Sequence, residues 1–431
     1  MRWFAPVALL ADGPRSDVVI DVVGGRIAAL SPGAAPDGAR RLPGVVLPGF
    51  ANVHSHAFHR ALRGRTHLHG GTFWTWREQM YRAASLLDPD SYFLLARAVY
   101  AEMALAGITT VGEFHYLHHR ADGRAYADPN AMGAALVAAA HEAGIRITLL
   151  DACYLSADVD GAVLTGVQRQ FGDAGVDAWS ARVSSLRDAD GVRHGFAAHS
   201  VRAVPAAALG EVARVAGGRP LHVHVSEQPA ENDACLAEHG RSPLQLLADH
   251  GVLGPATTAV HAVHIAAPEI ALLATSGSGV CVCPSTEHDL ADGIAPAAQL
   301  RSAGVPLALG SDLQVLIDPF GEAQLLEGDQ RAISLQRGTF APFELLSAMT
   351  AHRSLGWDDA GELAVGSRAD FVAVRTNTVR TAGVDPAQIV LAASAADVDT
   401  VVVDGMVVVD AGRHRLGDVG ALLGHAIGML R

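Results

Sequence analysis

Residues 45–56 read VVLPGFANVHSH, an almost unbroken apolar run that ends in His54-Ser55-His56. A strand covered on both faces has this composition, because neither side of it meets water. Seven further runs of the same kind follow, at 108–114, 145–151, 195–200, 221–226, 258–264, 279–283 and 306–312. Helical segments with recognisable ends lie between them. Asp88-Pro89 supplies a capping carboxylate and a proline at the first helical position, and Gly107 closes that segment directly before Ile108. Residues 130–143, 205–216 and 268–275 repeat the pattern. Eight strand–helix repeats predict an α/β fold, a (β/α)8 TIM-like barrel, rather than an open doubly wound sheet. No glycine-rich phosphate-binding turn follows any of the strands.

Outside the repeats the pattern changes. Residues 18–30, VVIDVVGGRIAAL, read as two strands turning at Gly24-Gly25. ELAVGSRADFVAV (362–374) and VDTVVVDGMVVVD (398–410) are again strands with glycine turns. The expected organisation is a barrel over 47–355 and a small composite β-sandwich domain from 1–46 and 356–431. Residues 152–193 are polar and fit no repeat, which makes them an insertion after the third strand.

Composition excludes several classes of function. The net charge of −13 argues against nucleic acid and anionic membranes as partners. No run of about 18 apolar residues occurs, so no transmembrane helix is expected. The N-terminal MRWFAPVALLADG breaks at Ala11-Asp12-Gly13, too early for a secretory signal, and a cytoplasmic protein is expected. Four cysteines form no disulfide framework, and Cys281-Val282-Cys283 reads as two small apolar residues on or beside one strand. The chain contains no lysine, which removes Schiff-base, P-loop and carbamylated-lysine chemistry.

The chemistry-bearing residues collect where the strands end, the face on which such barrels build their active sites. The first run ends in His54-Ser55-His56, the fifth in His222-Val223-His224-Val225-Ser226-Glu227, the sixth in His261-Ala262-Val263-His264 and the eighth in Gly310-Ser311-Asp312. Residues two apart on a strand point to the same side, so His54 and His56 can reach one ion. A lone histidine among 21 would mean little; the ordered set of His-x-His, His, His and Asp points to metal binding.

This order resembles the amidohydrolase superfamily, whose deaminase-like branch uses one metal and a His-x-x-Glu after the fifth strand. His224 to Glu227 has that spacing, which makes His224 the ligand and leaves His222 structural. A two-metal member would need a carboxylated lysine after the fourth strand, where this chain has Ala198-His199-Ser200. Within the superfamily the chain resembles the formiminoglutamate deiminases of histidine degradation. The resemblance is carried by HSHAFHRALRG (54–64), FWTWREQMYR (73–82), GEFHYLHH (112–119), HSVRAV (199–204), HVHVSEQPAE (222–231), VHAVH (260–264), CPSTEHDLADG (283–293) and GSDLQVLIDPF (310–320).

The resemblance implies one divalent ion, Zn2+, held by His54, His56, His224 and Asp312. It implies a small-molecule substrate with two carboxylates, and a homodimer is expected. Arg77 and Arg202 match the arginines that clamp those carboxylates, a task for which a planar guanidinium suits better than an ammonium. Tyr116 is placed to hydrogen-bond a carboxylate, and His199 to orient the substrate. His59 departs from the pattern, since many relatives carry Gln there. The reaction implied is hydrolytic deimination. Water adds to the formimino carbon, Asp312 and His261 take and stabilise its proton, Glu227 protonates the leaving nitrogen, and ammonia departs. The alternatives are another C=N substrate, formiminoaspartate or a guanine-type base, or a catalytically inert binding protein. Few aromatics lie at the strand ends, which argues against a base.

Overall fold

A computed structural model describes residues 1–67 and 70–430. Its core is an eight-stranded parallel sheet: β1 (Phe50–Ser55), β2 (Ile108–His115), β3 (Arg146–Cys153), β4 (Val192–Ala198), β5 (Leu221–Val225), β6 (Thr257–His261), β7 (Gly279–Val282) and β8 (Leu307–Leu309). The strands follow one another in chain order around the sheet. Every residue of β1, β2 and β3 is buried, the physical counterpart of their unbroken apolar sequence. β8 and β1 approach through a single bridge, Ser55 with Asp312, and the amides of Ser311 and Asp312 both donate to the His54 carbonyl at 3.1 and 3.0 Å. The expected (β/α)8 barrel is present.

The helices begin and end where their punctuation directs. Asp88 caps Pro89–Leu105 by accepting from Ser91 N at 2.8 Å. Gly107 then turns with φ +93°, and a Cβ there would stand 2.7 Å from the Phe50 ring, so the return into β2 admits no side chain. Gly144, in the left-handed region, ends Ala131–Ala143 before β3.

The run at 45–56 is two strands, not one. Val45–Pro48 pairs antiparallel with Phe371–Val374 in a second sheet, and β1 begins only after Gly49. Pro48 has no N–H to extend the ladder, and the Gly49 amide is taken by Asp370 O at 3.1 Å. This second sheet draws on both ends of the chain, with Arg2–Leu10, Gly13–Val23 and Arg26–Ser31 on one side and Val398–Val403, Met406–Asp410 and Arg413–His414 on the other. The opening apolar run is thus its first strand. The sheet encloses its own core around Trp3, Ile20, Val46, Phe371 and Val402, with the Trp3 and Phe371 rings edge-on at 5.4 Å.

Arg146, at the start of β3, ties barrel to sheet. Its guanidinium pairs with both oxygens of Asp370 and, at 3.0 Å, with Asp404. Among the described residues no helix is long and apolar enough to cross a membrane. Cys281 and Cys283 are free and buried, as expected of small apolar residues.

Candidate metal centre and substrate pocket

Four side-chain atoms converge at the open end of the barrel. His224 Nε2 lies 3.1 Å from His54 Nε2 and 3.3 Å from His56 Nε2. Asp312 Oδ1 lies 3.4 and 3.5 Å from the same two histidine nitrogens. Four donors around one ion at roughly 2.0–2.1 Å would stand roughly 3.3–3.4 Å apart, so the spacing fits a tetrahedral cation. The tautomers agree with it. His56 Nδ1 donates to Phe114 O at 2.8 Å and His224 Nδ1 to His199 O at 2.9 Å. Carbonyls only accept, so these rings carry their proton on Nδ1 and turn bare Nε2 lone pairs toward each other. Lone pairs and a carboxylate facing one point call for a cation. Burial pushes His54 down to about 3 and depresses His56 and His224, which keeps all three neutral. Burial would raise Asp312, but the hydrogen bond with His54 and the nearby His261 outweigh it and hold the carboxylate ionised.

The backbone here is strained. Ser226, His261, Ala262, Asp312 and Gln314 all have positive φ, half of the non-glycine residues so placed among those described. Such conformations persist where surrounding structure imposes them, most often at functional sites.

Beside the four atoms lies a second cluster of buried ionisable groups. His261 Nε2 is 3.7 Å from Glu227 Oε1 and 3.8 Å from Asp312 Oδ2, and its Nδ1 is 3.4 Å from Glu287 Oε1. Burial opposes charge on His261, but Glu227, Glu287 and Asp312 together raise its pKa well above the ordinary value. Burial also raises Glu227, against the pull of His261 and Arg202. Glu287 lies within CPSTEHDLADG, just after β7, but the motif by itself assigns it no role.

The substrate-binding candidates line one pocket above this centre. Arg77, on the helix Phe73–Ser85, lies over the Trp74 ring at 4.5 Å and pairs with no carboxylate among the described residues. Arg202 is already engaged. Its Nη2 lies 3.4 Å from Glu227 Oε2 and its Nε 3.8 Å from Glu231 Oε1. His59 is buried, with Nε2 3.1 Å from the Tyr116 hydroxyl. His199 sits among Tyr116 and Tyr154, ring centroids 5.3 and 4.6 Å away. His222 turns away to Ser354 O at 3.0 Å, which fits its structural reading.

The expectation of few aromatics is corrected here. Phe73, Trp74 and Trp76 from one helix and Tyr154 and Phe171 from the insertion wall the pocket. Strand ends alone understate a pocket whose walls come from loops and helices. Arg182 ties the insertion to Asp151 of β3 at 2.8 Å and pairs within it with Asp173 at 2.9 Å. His115, His118 and Asp151 also cluster closely, but Asp151 is filled by Arg182 and by Trp179 Nε1 at 3.0 Å, so the cation of that cluster is the guanidinium.

The amidohydrolase family model matches residues 45–408, and the model of the formimidoylglutamate deiminase HutF N-terminal domain matches residues 3–44. The chain belongs to the amidohydrolase family. Among family relatives, formimidoylglutamate deiminase of Pseudomonas aeruginosa is 39% identical over 87% of this chain and 86% of its own length. 8-Oxoguanine deaminase of the same organism is 30% identical over 84% and 81%. A solved amidohydrolase from Brucella melitensis superposes with TM-score 0.92 at 33% identity, covering 100% of this chain and 99% of its own. The resemblance read from the motifs is therefore borne out across nearly the whole amidohydrolase chain.

Proposed function

We infer that the protein catalyses hydrolytic deimination of N-formimino-L-glutamate to N-formyl-L-glutamate and ammonia, a step of histidine degradation. The observation that carries the reading is one pocket in which Glu227 and His261 flank the His54–His56–His224–Asp312 cluster while Arg77 and Arg202 line the wall. The 39% identity to a formimidoylglutamate deiminase supports the same substrate.

His54, His56, His224 and Asp312 would hold one divalent ion, zinc by their donor set, which supplies Lewis-acid activation of water. The remaining work falls to side chains. Arg77 and Arg202 orient the two carboxylates, with Tyr116, His59 and His199 closing around the chain between them. The oxygen of water bonds to the formimino carbon. One of its protons passes to Asp312, beside the His261 imidazolium, whose charge Glu227, Glu287 and Asp312 stabilise. Glu227 delivers a proton to the terminal nitrogen. As the carbon–nitrogen bond breaks, the hydroxyl proton of the adduct returns to Glu227 and the proton held at Asp312 passes to the departing nitrogen, so ammonia leaves and the formyl oxygen remains. The reading takes the protein as a cytoplasmic homodimer, with 47–355 as the catalytic barrel and 1–46 plus 356–431 as the second domain.

The aromatic wall favours one alternative, a guanine-type base as substrate, in line with the 30% identical 8-oxoguanine deaminase. Two cationic clamps have no partner on such a base. Proton NMR of zinc-loaded protein with N-formimino-L-glutamate separates the two: the formyl resonance of N-formyl-L-glutamate should grow with ammonia, and no turnover of it would overturn the assignment.

A further inference from the structure

The seam between β8 and β1 carries ligands on both sides, yet its backbone pairing is short, one bridge with hydrogen bonds only between His54 and His56 and Ser311 and Asp312. A chain of buried side chains crosses the seam beside it. Asn52 Nδ2 donates to Ser311 Oγ at 2.7 Å, and Ser311 Oγ donates to Gln314 Oε1 at 2.7 Å. Gln314 Nε2 donates to Ser55 Oγ at 2.8 Å and to Asp312 O at 3.1 Å. Ser55 Oγ donates to Glu113 Oε2 at 2.7 Å, and Glu113 Oε1 accepts from Ala57 N at 2.7 Å. The Gln314 amide can only donate at Nε2 and accept at Oε1, so Ser311 gives it its one proton while Ser55 and the Asp312 carbonyl accept from it.

We propose that Gln314 is a positioning residue for the metal centre: by holding both the Asp312 carbonyl and the Ser55 hydroxyl, which Glu113 anchors in turn, it sets Asp312 against the His54–His56 pair. This rests on reading the four-atom cluster as a metal site. Ser55 stands between the two histidines, and Gln314 grips both Ser55 and the Asp312 backbone. Asp312 and Gln314 have φ of +38° and +60°, conformations that need an external hold. Ser55, Glu113 and Gln314 are fully buried, so water cannot replace a lost partner. Partners that orient ligands are worth roughly 10–100-fold in metal affinity.

The test is zinc affinity by competition with a chromogenic chelator, with the unfolding temperature of each metal-free protein measured alongside. Gln314→Met should bind zinc about 10–100-fold more weakly than wild type. Ser55→Ala removes one oxygen and should weaken zinc in the same direction; it decides the matter if Gln314→Met does not fold. Arg146→Met, at the far end of the barrel, should lower the unfolding temperature and leave zinc affinity unchanged. Wild-type affinity in the Gln314 and Ser55 variants, or an equal loss in Arg146→Met, would overturn the positioning role. A wild-type protein that binds no zinc would overturn the metal reading and this proposal with it.

Discussion

Arg202 reaches Glu227: its Nη2 lies 3.4 Å from Oε2 of the carboxylate proposed to protonate the leaving group. An arginine that only held a substrate carboxylate would act on binding alone. This one also touches the proton donor, so its removal should appear in both constants. Arg202→Met is expected to lower kcat by about 10–100-fold, the worth of a charged hydrogen bond, as well as raise KM. Arg77→Met, with no contact to Glu227, should chiefly raise KM. Steady-state kinetics on both variants check this, and an unchanged kcat in Arg202→Met would count against the link.

Glu227 stands outside the four-atom cluster but within 3.7 Å of His261. Glu227→Gln should therefore lose kcat by about 100-fold or more and keep its metal. Elemental analysis beside single-turnover kinetics reads both. A variant that turns over at the wild-type rate would exclude Glu227 as the proton donor.

Removing the metal should inactivate the protein and lower its unfolding temperature, since four buried donors would then face one another without a cation. One equivalent of zinc per chain should restore both properties. The chain has no lysine to bridge a second ion, and a requirement for two equivalents would contradict the single-ion centre.

Arg146 and Asp370 are 1% exposed each, and the carboxyl is held by both guanidinium nitrogens. Arg146→Met leaves a buried carboxylate unpaired and should cost about 3–5 kcal/mol of stability. The pH dependence follows. Burial alone would raise Asp370, but Arg146 outweighs it and the folded pKa is lowered. The pair's contribution is thus full above the unfolded carboxyl pKa of about 4 and is lost as pH falls through the folded value. Without Arg146 only the Asp404 amide and His352 still oppose burial, so the stability gap between the variant and the wild type should narrow as pH falls. Urea unfolding between about pH 3 and 8 compares the two.

The barrel was legible because its strands are buried on both faces and its helices carry caps such as Asp88 and stops such as Gly107 and Gly144. His54, His56, His224 and Asp312 were legible because each lies at or just beyond the C-terminal end of a strand, where position along the chain translates into position in space. Val45–Pro48 was misassigned to β1 because apolar runs of two adjoining strands look alike until pairing is known. Tyr154 and Phe171 were hidden because an irregular insertion has no period to read. Glu113 and Gln314 act through partners far away in sequence, Ser55 lying 58 and 259 residues from them, and no local spacing announces such contacts.

The central claim is that two carboxylates at a fixed separation define the substrate. Formiminoaspartate is one methylene shorter and leaves one clamp unpaired, a cost larger than that of the missing methylene alone. The direct measurement is kcat/KM of the zinc-loaded protein for N-formimino-L-glutamate, formiminoaspartate and 8-oxoguanine. The account predicts a preference for formiminoglutamate of at least about 100-fold, using roughly 1.4 kcal/mol per tenfold. Equal or higher kcat/KM on either competitor would contradict it.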